Sequence, residues 1–433
     1  MAAPLLLAAI AFTAAVRPHI GRDPDRWLDV ALAACLVVIA LQLIPLPPAI
    51  RLALSPAAAD LDSSLRLDAA TAAPRPLSVD PASTIVALML GTTFVLLFWC
   101  ARSVFSRGGM RAMARSVTWL ALVLAAFGMM QHLTAPRLMY WMWPAPKGAT
   151  PFGPFVNHSD FASLLVMALP LVAGYGLARV QSRTHTGAPR RLAIDAVTIW
   201  LFVVVCLISA SLVVGLSRSG LIAGAAGLAA FAWLSSGRMP QKARAWFLFA
   251  HLVLVLVAAA YANPRALSLR ISQTVTSGLG ARRTVWHETW PMVRDFWATG
   301  VGAGAYQRAM IVYQQSPRLF YFNHAHNEYL QLVAEGGVLL IIPALLAVAV
   351  GVSRIRARLT ADRSPAFSIR AGAVGGLVAI AVQSVWETGL RIPANGLLFA
   401  VLAAIAIAEP PVSSRRESSR QTPVDDPKPA HSD

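Results

Sequence analysis

FNHAHNEYLQLVAEGGVLLIIPALLAVAV, residues 322–350, places two opposite chemical demands in one unbroken stretch. From Val338 onward it is continuously apolar, without the alternation of a half-buried strand. Read as the span 335–352, it approaches the roughly 20 residues that a helix needs to cross about 30 Å of hydrocarbon. Its first half holds two histidines, two asparagines and two glutamates. Core packing asks for no such cluster directly ahead of a membrane span. The stretch reads as a membrane helix entered through a chemically loaded turn.

Working outward, the whole chain is of the same kind. It has 433 residues, 57% apolar and 13% charged, against about 45–50% and about 25% in soluble domains. Continuous apolar runs lie at about 3–16, 28–47, 83–101, 116–133, 158–178, 194–214, 219–236, 244–261, 335–352, 368–387 and 391–408, giving 11 crossings. None alternates as a transmembrane barrel strand would. The net charge of +17 would suit nucleic acid if it were gathered on one soluble face. Here it falls in loops 102–116, 178–191, 237–245 and 354–363 and in the RRESSR tail, which alternation puts on one side of the membrane. Those loops obey the positive-inside rule, so the basic residues encode orientation and no nucleic-acid partner is expected. Residues 1–16 form a short first span without the basic leader or cleavage site of a signal peptide. Cys35, Cys100 and Cys206 all fall inside apolar runs, so no disulfide framework is implied.

One polytopic domain, 1–408, is therefore expected, followed by a polar tail, 409–433, that reads as disordered and cytoplasmic. Two outer connections, 48–82 and 262–334, are too long to be turns. The second carries WHETW (286–290), and a shorter outer loop carries Tyr140, Trp141 and Trp143, aromatic residues suited to a membrane interface. No repeat of 20–50 residues is evident.

The outer face collects the chemistry. Arg218 lies between two apolar runs, and an arginine near hydrocarbon is a functional candidate unless it merely snorkels to the headgroups. Arg282 and Arg283 open the outer stretch RRTVWHETWPMVRDFWATGVGAGAY. A guanidinium fork matches phosphate oxygens two at a time, so Arg218 with Arg282 or Arg283 can meet a diphosphate just above the bilayer. His324 and His326 supply a candidate base, since imidazole is a neutral proton acceptor near pH 7; either serves on chemistry alone. If Asn323 caps a helix running into the span, both histidines sit in its first turn, and His324, Glu328, Gln331 and Glu335 share a face. FGPFVNHSDFA (152–162) adds Asn157, His158 and Asp160 ahead of another span. No metal is expected, because neither H-E-x-x-H nor a Cys/His ligand set is present. GVGAGAY (300–306) lacks the context of a nucleotide loop and reads as a tight turn beside the site, and GLIAGAAGLAA (220–230) as a close helix crossing.

With these residues assembled, the chain resembles the O-antigen ligase and polymerase family of bacterial membrane glycosyltransferases. The likeness in motif covers about 150–350: G-x-F-x-N at Gly153–Asn157, Ser-Arg-Ser-Gly at Ser217–Gly220, Arg282 with Trp286 and Gly302–Gly304, then H-x-H-N at His324–Asn327 with Glu335–Gly337. Arg283 adjoins Arg282, and Leu340 stands where many members have a further glycine. The resemblance implies an all-α polytopic membrane protein of about 11–12 transmembrane helices, with a long periplasmic loop containing short helices. It implies residence in the bacterial inner membrane and a site facing the periplasm. The expected reaction passes a glycan from an undecaprenyl-diphosphate carrier to an acceptor hydroxyl, on lipid A-core or on a growing glycan, with inversion and without metal, nucleotide sugar or other cofactor. His326 would be the base, with His324 beside it. Arg218 and Arg282 or Arg283 would hold the diphosphate, supported by Asn157, Asn327 and Glu335. A repeat-unit polymerase and a protein-glycosylating enzyme share this chemistry. A lipid-linked glycan flippase is the alternative of another class, which would put polar groups deep in several spans.

Overall fold

The computed structural model describes residues 1–21, 24–65, 73–146, 149–185, 195–215, 217–239, 279–317 and 321–409. The protein is an all-α polytopic membrane protein, and 74% of the described residues are helical. In chain order the described helices are α1 (Ala2–Val16), α2 (Arg26–Leu41), α3 (Pro48–Leu54), α4 (Ala57–Leu65), α5 (Pro81–Ser106), α6 (Met110–Thr134), α7 (His158–His185), α8 (Ala196–Val214), α9 (Arg218–Leu234), α10 (Leu279–Asp295), α11 (Tyr306–Tyr313), α12 (Glu328–Ala361), α13 (Phe367–Gln383) and α14 (Pro393–Ile407). A two-stranded antiparallel ribbon, Leu138–Met139 against Trp143–Pro144, follows α6. By length and composition, α5, α6, α7, α8 and α12 can each cross a membrane, and α1, α9, α13 and α14 are shorter apolar helices.

Local sequence sets the helix starts. Asp80 accepts from Ser83 N–H ahead of α5, whose first residue is Pro81, and Asp195 accepts from Thr198 N–H ahead of α8. Ser217 accepts from Gly220 N–H at α9, and Asn327 from Leu330 N–H at α12. Each satisfies a first-turn donor that would otherwise go unpaired at the bundle end.

The core gathers around α13, which packs on α7 and α9 and is buried along most of its length. Glycine makes this possible where backbones touch: a Cβ on Gly375 would lie 2.7 Å from the Gly227 carbonyl oxygen, and one on Gly227 would meet Gly375 in the same way. The small-residue run 220–230 is thus a helix crossing. A second, smaller core caps the site end, where Leu61 of α4 packs with Met292 of α10, Phe296, Tyr306 and Met310 of α11, Ala325 and Ala334.

Helices stand at ten of the eleven expected runs, and the run 244–261 lies outside the described residues. Boundaries differ instructively. The runs 368–387 and 391–408 were expected to be spans, but α13 ends at Gln383 and α14 begins at Pro393. In the chain between them Glu387 pairs with Arg282 and Arg391 with Glu335. The cap of α12 is Asn327, four residues beyond the expected Asn323, so both histidines precede the helix. The two long connections carry short helices, α3 and α4 in the first, α10 and α11 in the second. Of the expected disordered tail, 410–433 lies outside the described residues.

Candidate functional site

Ala325, between the two histidines, is completely buried and held at both ends. Its N–H donates to Gln331 Oε1 at 2.9 Å, and its carbonyl accepts from Trp286 Nε1 at 2.9 Å. Three residues on, the Glu328 N–H donates to the Ser384 carbonyl at 2.8 Å. Between these anchors His326 is forced to φ 48°, a left-handed conformation costing a non-glycine residue about 1–2 kcal/mol. The strain turns the two imidazoles into separate networks.

His324 enters the network of Glu335. Gln331 Nε2 lies 3.4 Å from His324 Nδ1 and donates to Glu335 Oε1 at 3.0 Å. Arg391 Nη1 donates to both Glu335 oxygens at 3.1 and 3.0 Å, and Arg391 Nε lies 3.3 Å from Glu328. Desolvation, with the positive charges of Arg391 and His326, pushes His324 down to about 4. Glu335 is buried and also receives the Gly304 N–H at 2.9 Å, while its backbone oxygen accepts from Gly302 N–H and Gln42 Nε2. GVGAG is therefore a tight turn wrapped around this carboxylate, with positive φ at Gly300, Gly302 and Gly304. The supporting residue Glu335 is thus a buried tie between α12, the glycine turn and Arg391.

His326 enters a different network, centred on Glu387. Glu387 is 4% exposed. Its Oε1 accepts from Arg282 Nη2 at 2.6 Å and from Ser219 Oγ at 3.3 Å. Its Oε2 lies 3.7 Å from His326 Nδ1, an ion-pair separation longer than a hydrogen bond. That nitrogen is sealed from solvent and has no hydrogen-bond partner among the described residues. The His326 side chain as a whole is 44% exposed, so it is the opposite edge of the ring, bearing Nε2, that faces out. Burial alone would raise the Glu387 carboxyl, but His326 and Arg282 beside it hold it below the usual carboxylate range. A carboxylate facing Nδ1 favours the tautomer with Nδ1–H and an open lone pair on Nε2.

The sequence candidates distribute around this hub. Arg218 is exposed at the first position of α9, next to Ser219. Arg282 is the member of its pair that reaches Glu387, and Arg283 is exposed. Asn157 accepts from Ser159 N–H at 2.9 Å and shapes the start of α7, whose Asp160 interacts electrostatically with both Glu387 and His326. Asn327 caps α12. Three segments far apart in sequence, 217–220, 282–286 and 322–328, thus meet at Glu387. Among the described residues no group of three His, Cys, Asp or Glu side chains is placed to hold a metal ion.

Glu387 and Arg391 escaped the sequence reading. The signal is present in QSVWETGLR (383–391), where an acid and a base bracket a glycine between two apolar runs. Ionisable residues at the edge of a span are functional candidates in their own right, but Glu387 was absorbed into one run and Arg391 into the next.

Comparison with known families agrees with the motifs. Residues 201–345 match the family model described as O-antigen ligase, a stretch containing Arg218, Arg282, Arg283, His324, His326 and Glu335. No curated protein sequence matches the chain.

Proposed function

From the O-antigen ligase family segment at residues 201–345, whose members are membrane ligases and polymerases, we propose that this chain transfers a glycan from undecaprenyl diphosphate to an acceptor hydroxyl at the periplasmic face of the inner membrane. The observation that carries the reading is the meeting of His326, Arg282 and the Ser217–Gly220 turn at Glu387. The base is His326: its Nε2 edge is open and its Nδ1 is backed by a carboxylate. His324, held near 4 and tied to Gln331, is too weak a base for the role.

The reaction is a single in-line displacement. The acceptor O–H bond breaks and its proton passes to His326 Nε2 as the oxygen forms a bond to the anomeric carbon. The bond from that carbon to the diphosphate breaks on the opposite face, and its electron pair stays on the phosphate oxygen. Arg218 and Arg282 stabilise the charge growing there, the kind of fixed electrostatics that contributes most to many enzymes. Lipid A-core is the proposed acceptor.

Purified protein in liposomes with lipid-linked glycan and lipid A-core tests this. His326→Ala is expected to lower transfer by roughly 10²–10⁴-fold, the worth of a positioned base, while staying in the membrane. Undiminished product removes the base. A ladder of repeats on the carrier lipid makes the enzyme a polymerase, and movement of glycan between leaflets with no new glycosidic bond replaces it with a transporter.

A further inference from the structure

Arg282 is already occupied: its guanidinium lies on Glu387, not on open solvent. The carboxylate is divided, Oε1 to Arg282 and Ser219, Oε2 toward the unpartnered Nδ1 of His326. The Arg282 side chain is 31% exposed, whereas Glu387, at 6% of its side chain, is closed off from solvent.

We infer that Glu387 is a positioning residue that links donor binding to the strength of the base: the donor's diphosphate draws Arg282 away, and the released carboxylate engages His326 Nδ1–H. This deepens the reading above and rests on it, since it takes Arg282 as a diphosphate ligand and His326 as the proton acceptor. Without donor, Arg282 offsets the charge of Glu387, whose Oε2 stops 3.7 Å from His326 Nδ1. With donor, Glu387 stays buried, with the Ser219 and Ser159 hydroxyls and His326 as its neighbours. A buried carboxylate that loses its cation is costly, so it closes on Nδ1–H and makes Nε2 more basic. The base strengthens when there is a leaving group to serve, and donor binds before acceptor. The other charged groups facing the pair are Asp160 of α7, which interacts with both Glu387 and His326, and His324, which feels His326 across Ala325. Arg218 lies one residue from Ser219 on α9.

The test is histidine-labelled NMR on the full chain in nanodiscs, His326 being assigned by its loss in His326→Gln and inorganic pyrophosphate serving as the probe. Saturating pyrophosphate is expected to raise the His326 titration midpoint by about one pH unit, the order of effect of unmasking one unit charge at close range in partly buried surroundings. In Glu387→Gln that rise falls to less than half, and Glu387→Asp, which keeps the charge on a shorter arm, gives an intermediate value if the Gln variant folds poorly. An equal rise in wild type and both variants overturns the inference, because the anion would then act on the ring directly. So does pyrophosphate that binds without moving the midpoint. The two readings fail separately. Full transfer by His326→Ala removes the base even where the midpoints behave as expected, and an inactive His326→Ala beside an unmoved midpoint removes only the coupling.

Discussion

Two identical side chains, two residues apart, sit in different electrostatic surroundings. His324 keeps an exposed edge, and partial desolvation with the charge of Arg391 lowers it to about 4, whereas the Nδ1 of His326 is sealed against Glu387. The sign of the His324 effect is fixed. Its folded pKa is below the unfolded value of about 6.5, so the unfolded chain takes up a proton at a higher pH than the folded one, and stability is lost as pH falls from about 6.5 to about 4. Glu387 works with the same sign in a lower pH range: its carboxyl is depressed, so its contribution is intact above the usual carboxylate range and lost only as pH falls below it. Thermal unfolding between pH 7 and 4 separates them. His324→Gln is expected to flatten the loss between 6.5 and 4 and to keep most transfer activity. An unchanged pH profile in that variant would show that His324 is not the group titrating there.

Among the elements, α12 matters most, because it carries the proposed base on its approach and a long apolar span beyond. It bends at Gly337, with φ 55° and ψ −165°, and at the bend the N–H groups of Val338 and Leu339 turn to the carbonyls of Trp297 and Ala298. The bend brings Glu335 against the glycine turn. A Cβ at Gly337 would lie 2.5 Å from the Ala298 oxygen and 2.6 Å from the Gly300 nitrogen, on top of about 1–2 kcal/mol for the left-handed backbone. Gly337→Ala is therefore expected to lower the apparent Tm in detergent by several degrees and to weaken transfer. Gly351→Ala, in the same helix with nothing within 4 Å of its added Cβ, leaves both unchanged; equal behaviour of the two variants would refute the role of the bend. The E-x-G motif and the turn at 300–306 were legible because glycine spacing encodes backbone shape directly. The cap was misplaced to Asn323 because both asparagines are good caps, and the choice is made by Glu328 N–H reaching Ser384, a contact between distant segments. Glu387 was hidden for a similar reason, since hydropathy averaged over a span conceals one acid at its end.

For the molecule as a whole, the polar groups divide between the two ends of the apolar bundle. One end holds the Glu387 and Glu335 networks. The other holds Arg102 with Asp29, Arg354 with Asp25, Arg358 with Glu409, and Arg238 on the carbonyls of Asp362 and Ser364. There Arg370, fully buried, pairs with Asp362 and donates to the carbonyls of Ile405, Ala406 and Ala408, closing the end of α14. The arginines 102, 238, 354 and 358 come from loops that the charge pattern had put on one side, so the two-sided arrangement was readable from where basic residues fall between apolar runs. By the preference of basic loops for the cytoplasm, the proposed orientation puts that arginine-rich end inside. A cysteine replacing exposed Arg107, after α5, should then be shielded in intact cells, and one replacing exposed Gln307, on α11 at the site end, should be open. With Cys35, Cys100 and Cys206 replaced by alanine, a membrane-impermeant maleimide is expected to label Gln307→Cys in whole spheroplasts and Arg107→Cys only after lysis. Labelling in the reverse order would put His326 and Arg282 in the cytoplasm, away from any donor presented at the outer leaflet, and a glycan transfer on the periplasmic side would have no site.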